Sequence, residues 1–174
     1  MSEAKELLNL VGAFLEATNQ HAVEKIMALF NDNAEFELVG VYRVVGKEQI
    51  RNVFEYDAGV HTKLDFSGLQ IEGDTVKGWL VEKNDRLKAI GFNKLDYPFC
   101  ALTFCEGRIQ KFSAKADEGS IKKIMEAWQG FLPWVTENFP TDRARLFTSE
   151  GRFIYNRENG ERVVKLLKEW KKEG

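Results

Sequence analysis

The run Thr75-Val76-Lys77-Gly78-Trp79-Leu80-Val81-Glu82-Lys83 alternates as a strand does, so Val76, Gly78, Leu80 and Glu82 share one face. A carboxyl on an otherwise apolar face has its pKa raised by desolvation and can trade protons near neutrality. Glu82 is therefore the candidate catalytic acid or base; the competing reading is a rim glutamate paired with a lysine. Trp79 is a candidate pocket residue on the same strand, although it points opposite to Glu82 unless a bulge intervenes. Glu35 and Glu37 have the spacing of a carboxylate pair, but they alternate with Phe36 and Leu38 and are expected to face water. Tyr56 and Asp57 close a helix, and Tyr42 sits in an irregular strand. Each can donate a hydrogen bond at a pocket mouth, but surface capping or rim packing is the expected role.

Metal and nucleotide chemistry find little support. His21 and His61 are the only histidines and have no cysteine nearby, so a metal site is not expected. Cys100 and Cys105 fall in one strand, five residues apart and hence on opposite faces. They cannot bridge each other, and two reduced thiols fit a reducing compartment. Gly46-Lys47 lacks the upstream glycine and the following Ser or Thr of a phosphate loop. No cofactor is expected.

These residues must be positioned by helices that precede a sheet. Leu7, Leu8, Val11, Leu15 and Thr18 form one stripe of a helix from about Ser2 to Thr18. Asn19 is a plausible cap for a second helix, Ala22 to Phe30, which Asn31-Asp32-Asn33 stops. A strand, Ala34 to Val39, follows, and Gly46 starts a third helix that ends near Gly59. Strands then run Thr62 to Ile71, Thr75 to Lys83, Phe99 to Phe104 and Arg108 to Ala114, with Asn84-Asp85 capping a short helix between the second and third. Helices first and a mostly antiparallel sheet afterwards argue for an α+β fold.

Beyond Lys115 the pattern is helical again. Ile121, Ile124, Met125, Trp128, Phe131, Leu132 and Val135 make a wide apolar face in which Pro133 should kink or restart the helix. Thr141 is expected to cap a short helix, and a last helix carries Val163, Val164, Leu166, Leu167 and Trp170. This tail is too apolar to stand free. The expected organisation is a domain over 1–116 with a helical extension over 117–174 packed on it.

A chain of 174 residues with 44% hydrophobic and 30% charged residues is long enough for a real core. A net charge of −2 gives no general pull toward nucleic acid or an anionic membrane. The apolar runs fall far short of the ~20 residues that span a bilayer. Met1-Ser2-Glu3-Ala4-Lys5-Glu6 reads as a charged helical start, and a cytoplasmic location is expected.

The element order, with Ala28-Leu29-Phe30-Asn31-Asp32-Asn33-Ala34 and Val45-Gly46-Lys47-Glu48-Gln49-Ile50, resembles the nuclear-transport-factor-2-like superfamily, in its SnoaL-like and ketosteroid-isomerase-like branch. The resemblance covers roughly Lys5 to Lys115. It implies a curved sheet wrapped around the N-terminal helices as a cone with an apolar pocket, and often a homodimer formed through the outer sheet face. Phe14, Leu38, Val53, Cys100, Leu102 and Phe112 would line that pocket, and Gln110, which shares the parity of Phe112, could orient a ligand. The residues of ketosteroid isomerase, a base aspartate, a tyrosine and a protonated aspartic acid, fall on Leu38, Phe14 and Cys100. None of these can do the corresponding work, so isomerisation by that route is not expected. The Asp–Arg–Asp set of limonene epoxide hydrolases has no clear counterpart in sequence. The expected function is binding of a small apolar organic molecule, with isomerase, dehydratase or cyclase-type proton transfer. The alternative is a non-catalytic binding or dimerisation module whose pocket is filled or vestigial.

Overall fold

The computed structural model describes residues 2–174. Two short helices open it: α1, Glu3–Asn19, capped by the Ser2 side chain, and α2, Val23–Ala28. Strands β1 (Phe30–Leu38) and β2 (Tyr42–Val45), helix α3 (Lys47–Gly59), strands β3 (Lys63–Glu72) and β4 (Thr75–Lys83), helix α4 (Asp85–Ala89) and strands β5 (Leu95–Cys105) and β6 (Arg108–Lys115) follow. Three helices complete the chain: α5 (Glu118–Asn138), α6 (Pro140–Leu146) and α7 (Arg157–Glu173).

The six strands form one curved, unclosed sheet in the order β2-β1-β6-β5-β4-β3; β1 and β6 run parallel and every other pair is antiparallel. Its curvature centres on Gly78. Against the two-residue step from Gly78 to Leu80, β5 takes three residues from Cys100 to Tyr97, and against the two-residue step from Trp79 to Lys77, β3 takes three from Ser67 to Gln70. An extra residue on each neighbour bends both strands around β4, as bulges do. A Cβ at Gly78 would lie 2.6 Å from the Ser67 carbonyl oxygen and 2.8 Å from the Phe66 ring, so glycine is what allows this close approach.

The inner face of the sheet closes over α1, α2 and α3. Phe14 is 1% exposed and sits edge-on to Phe30 and Phe54, with Phe112 6.0 Å away; Phe112 in turn stacks on Phe36 at 4.6 Å. Rings in these geometries add about 0.5–1.5 kcal/mol per pair beyond area burial. Asn19 caps nothing: it is the last residue of α1, and its side chain bonds both the Leu64 N–H and the Leu64 carbonyl. That double bond pins α1 to β3, a use of Asn that reaches 45 residues along the chain and has no local signal.

The C-terminal helices carry their own apolar cluster of Phe131, Val135, Leu146, Val163, Leu166 and Leu167, while Ile90 and Trp128 pack against both this cluster and the main core. Helix α5 is continuous through Pro133, and α6 begins at Pro140 with Phe139 as its cap position, so Thr141 lies inside the helix. Helices α3 and α7 meet at Gly59 and Gly160. A Cβ on Gly160 would stand 2.6 Å from the Tyr56 carbonyl oxygen, and one on Gly59 would clash with the Arg157 carbonyl at 2.2 Å. Two glycines thus let the helices touch backbone to backbone. The contact fixes the end of α3, where Tyr56 and Asp57 stand.

Candidate functional site

A cavity of about 610 Å³ lies between the inner sheet face and the C-terminal helices. Its floor is aromatic, with Phe14, Phe36, Phe54 and Phe112. Helix α5 contributes Ile121, Ile124, Met125, Trp128 and Leu132, and the segment after α6 contributes Phe147, Phe153 and Tyr155. The tail beyond Lys115 is therefore one wall of the cavity as well as a packing layer.

One region of this apolar space is polar. Glu82 closes the inward face of β4, and Tyr97 donates a hydrogen bond to its Oε2 at 2.7 Å. Asn84, the N-cap of α4, donates to Glu82 Oε1 at 2.6 Å while its own Oδ1 accepts from Leu87 N at 2.8 Å. Glu82 thus sits among donors, as a proton acceptor does. The bulge on β5 turns Tyr97 inward: Leu80 faces Tyr97 and Gly78 faces Cys100, so the parity of the strand changes between them.

Asp57 and Arg86 complete the region. Asp57 occupies the fourth position of the α3 stripe Ile50, Val53, Phe54, Asp57, and it lines the cavity together with Tyr56 and Thr62. Burial raises the Asp57 pKa from its ordinary 3.8 to about 8, and the charge of Glu82 adds to the rise; Arg86 and the Thr62 hydroxyl oppose it. Burial thus biases Asp57 toward its protonated form. Thr62 Oγ1 makes no hydrogen bond of normal geometry, although it stands near enough to act on Asp57.

Arg86, on α4, has a buried Nε without a hydrogen-bond partner, and among the described residues no carboxylate lies within ion-pair distance of it. Burial works against its charge, yet neighbouring negative charge such as that of Glu82 favours it, and a guanidinium stays protonated at neutral pH. It retains accessible surface because it faces the cavity. Burial, with lesser contributions from neighbouring negative charge, likewise pushes Tyr42 and Tyr97 well above the usual phenol range and Tyr56 up to about 12, so all three are hydroxyl donors at neutral pH. The Tyr155 ring lies 5.3 Å from that of Tyr42, tilted, and 5.4 Å from that of Tyr56, edge-on, and brings a fourth hydroxyl to the group.

The residues singled out in sequence separate cleanly. Phe14, Leu38, Phe112 and Glu82 line the cavity. Val53, Cys100 and Leu102 do not; they are buried in the packed core behind it, where burial pushes the Cys100 thiol up. Trp79 is on the outer face, 45% exposed, and donates to Asp96 at 2.9 Å. Both bulges fall on the neighbours of β4, so β4 keeps its own alternation and Trp79 stays opposite Glu82. Gln110 also points away, bonding Asn31 and Asn33 across β1. It counts on the parity of Phe112, but it is the extra residue of a bulge on β6: the single step from Thr103 to Phe104 on β5 faces Lys111 to Ile109, so Ile109 and Phe112 both turn inward and Gln110 does not. Tyr42, Tyr56 and Asp57 are cavity residues rather than rim caps. Glu35 and Glu37 face outward toward Arg43 and Lys111.

Arg86, Tyr97 and Tyr155 went unread in sequence. The helical stripe of α3 did carry the signal for Asp57; nothing local marked the other three.

No family model matches the sequence, and no curated protein matches it. Solved structures do. An LEH-like epoxide hydrolase of M. tuberculosis is 17% identical with a TM-score of 0.57, covering 70% of this chain and 91% of its own. SalBIII, an epoxide hydrolase/cyclase-like enzyme of pyran ring formation in the polyether salinomycin, is 18% identical with a TM-score of 0.60, covering 68% and 96%. An NTF2-like protein of unknown function from Cytophaga hutchinsonii is 16% identical with a TM-score of 0.55, covering 66% and 93%. Among the described residues no helix is long and apolar enough to cross a membrane. The curved six-stranded sheet, the helices it encloses and these matches agree: the chain has the nuclear-transport-factor-2-like fold.

Proposed function

We propose that the protein is a cytoplasmic, homodimeric enzyme that binds a lipophilic, oxygen-bearing small molecule and opens a C–O bond in it by cofactor-independent acid–base catalysis. The observation that carries this reading is that Asp57, buried and biased toward its protonated form, lines the same apolar cavity as a donor-bonded Glu82. Two carboxyls in different surroundings can divide the roles of acid and base.

In this reading Asp57 gives its proton to the oxygen of the breaking C–O bond, and Glu82 takes a proton from the incoming nucleophile. Arg86 and the tyrosine hydroxyls stabilise negative charge that develops on the oxygen. An epoxide uses all of these groups at once: water as nucleophile yields a diol, and a hydroxyl of the substrate itself yields a ring. The proton collected by Glu82 returns to Asp57 through solvent between turnovers. The names of the epoxide hydrolase and the hydrolase/cyclase-like enzyme of the same fold fit this chemistry. The free thiols of Cys100 and Cys105 fit a reducing compartment, and Trp79 and Phe99 offer exposed apolar side chains on the outer sheet face for a dimer.

The test is a panel of terpenoid and long-chain epoxides, with and without an internal hydroxyl, incubated in ¹⁸O-labelled water. Hydrolysis puts one label into the product and cyclisation puts none. No turnover of any member would leave the cavity a binding site and favour the non-catalytic alternative.

A further inference from the structure

The cavity combines one group of polar side chains with apolar side chains that are exposed to solvent. Among the described residues seven large apolar side chains are exposed, and three of them, Val39 (36%), Val41 (51%) and Met125 (52%), line this one cavity. Val39 and Val41 flank Gly40 in the turn joining β1 to β2, and Met125 lies on α5. Water would not wet such a rim for free: each exposed apolar side chain forgoes the gain of burial. Met125 is also the side chain best able to adapt to a flexible chain.

The charges in the polar group limit the head of the ligand. Arg86 and Glu82 are of opposite sign in one cavity and burial biases Asp57 toward its neutral form, so a further anion or cation would bring uncompensated charge into an apolar space. A neutral oxygen that can accept from Arg86 and the tyrosines fits. The volume of 610 Å³ has room for about 20 water-sized groups.

We infer that the substrate class is a neutral, long-chain amphiphile whose oxygenated head sits among Tyr97, Arg86 and Asp57 and whose aliphatic tail leaves between Val39, Val41 and Met125. The inference rests on the proposed reading in taking the polar end as the place where the reacting oxygen binds; it does not depend on which bond is broken.

The experiment measures dissociation constants for a homologous series of methyl ketones, from octanone to octadecanone, by titration calorimetry. These probes have a neutral oxygen head and no C–O bond to open, so binding is read apart from turnover. Affinity should rise by about fourfold per added CH₂ while the chain is still being buried. Val41→Asp and Met125→Glu should weaken the longest members tenfold or more and leave octanone within twofold. Both positions are exposed, and a terminal nitroxide on the chain should, in the unaltered protein, broaden the Val41 and Met125 amide signals whether or not the variants behave. Equal effects on short and long chains, with no broadening at the rim, would overturn the tail path while leaving the proposed chemistry intact. Absence of binding by any member would overturn the reading of the polar end as well.

Discussion

Asn84 joins Glu82 to the start of α4: its amide donates to Glu82 Oε1 at 2.6 Å, and its Oδ1 accepts from Leu87 N at 2.8 Å. One side chain therefore sets both the orientation of the proposed base and the helix that carries Arg86.

Asn84→Ala removes both bonds. Loss of the cap should destabilise the fold by about 1–2 kcal/mol and lower turnover as Glu82 loses its orientation. Asn84→Ser keeps a capping oxygen on a side chain too short to reach Glu82, so thermal stability should largely return while turnover does not. Recovery of both by Ser would show that the cap alone matters.

Asp57 gives the protein a pH dependence of definite sign. Its folded pKa of about 8 lies above the ordinary 3.8, so between these values the folded state holds a proton that the unfolded chain releases. The stabilising contribution is full below about pH 4 and is lost as pH rises through about 8. Asp57→Asn cannot titrate, so at about pH 9 it should melt roughly 5–10 °C above the parent, with the gap closing toward about pH 4. Parallel melting curves across this window would contradict a neutral Asp57. If Asp57 is the acid, the activity of the parent should also fall as pH rises through about 8.

Gly160→Ala tests how α7 holds the site. A methyl 2.6 Å from the Tyr56 carbonyl forces α3 and α7 apart, at a cost of about 1–3 kcal/mol. Because the displaced end of α3 carries Tyr56 and Asp57, ligand affinity should fall with stability. A substitution of equal cost in the separate C-terminal cluster, Leu166→Val, should lower stability and leave affinity nearly unchanged.

Tyr97→Phe keeps the ring packed and removes one donor to Glu82. Turnover should drop about tenfold, and affinity for the methyl ketones should fall by about two- to tenfold as their oxygen loses a neighbouring hydroxyl, as measured by kcat and Kd.

The helices and strands were readable because their periods are strong: the α3 stripe and the β4 alternation need no tertiary information. Glu82 and the three lining residues Phe14, Leu38 and Phe112 follow from that alternation and from the cone it implies. Asp57 was within reach, since it continues the stripe of Ile50, Val53 and Phe54, but a carboxyl beside Gly59 reads equally well as a helix-end residue. Tyr97 and Arg86 were out of reach. The first faces inward only because β5 carries a bulge opposite Gly78, and the second projects from a five-residue helix whose direction is set by packing. Val53, Cys100 and Leu102 show the complementary error. They share a face with cavity residues, yet lie where the core is filled.

The most direct measurement is the turnover of a long-chain epoxide by Glu82→Gln, read together with its affinity for the matching methyl ketone. Glutamine keeps the shape and can still accept from Tyr97, but it cannot take a proton. The account predicts turnover reduced by a hundredfold or more with affinity within about twofold of the parent. Unchanged turnover with unchanged affinity would contradict it.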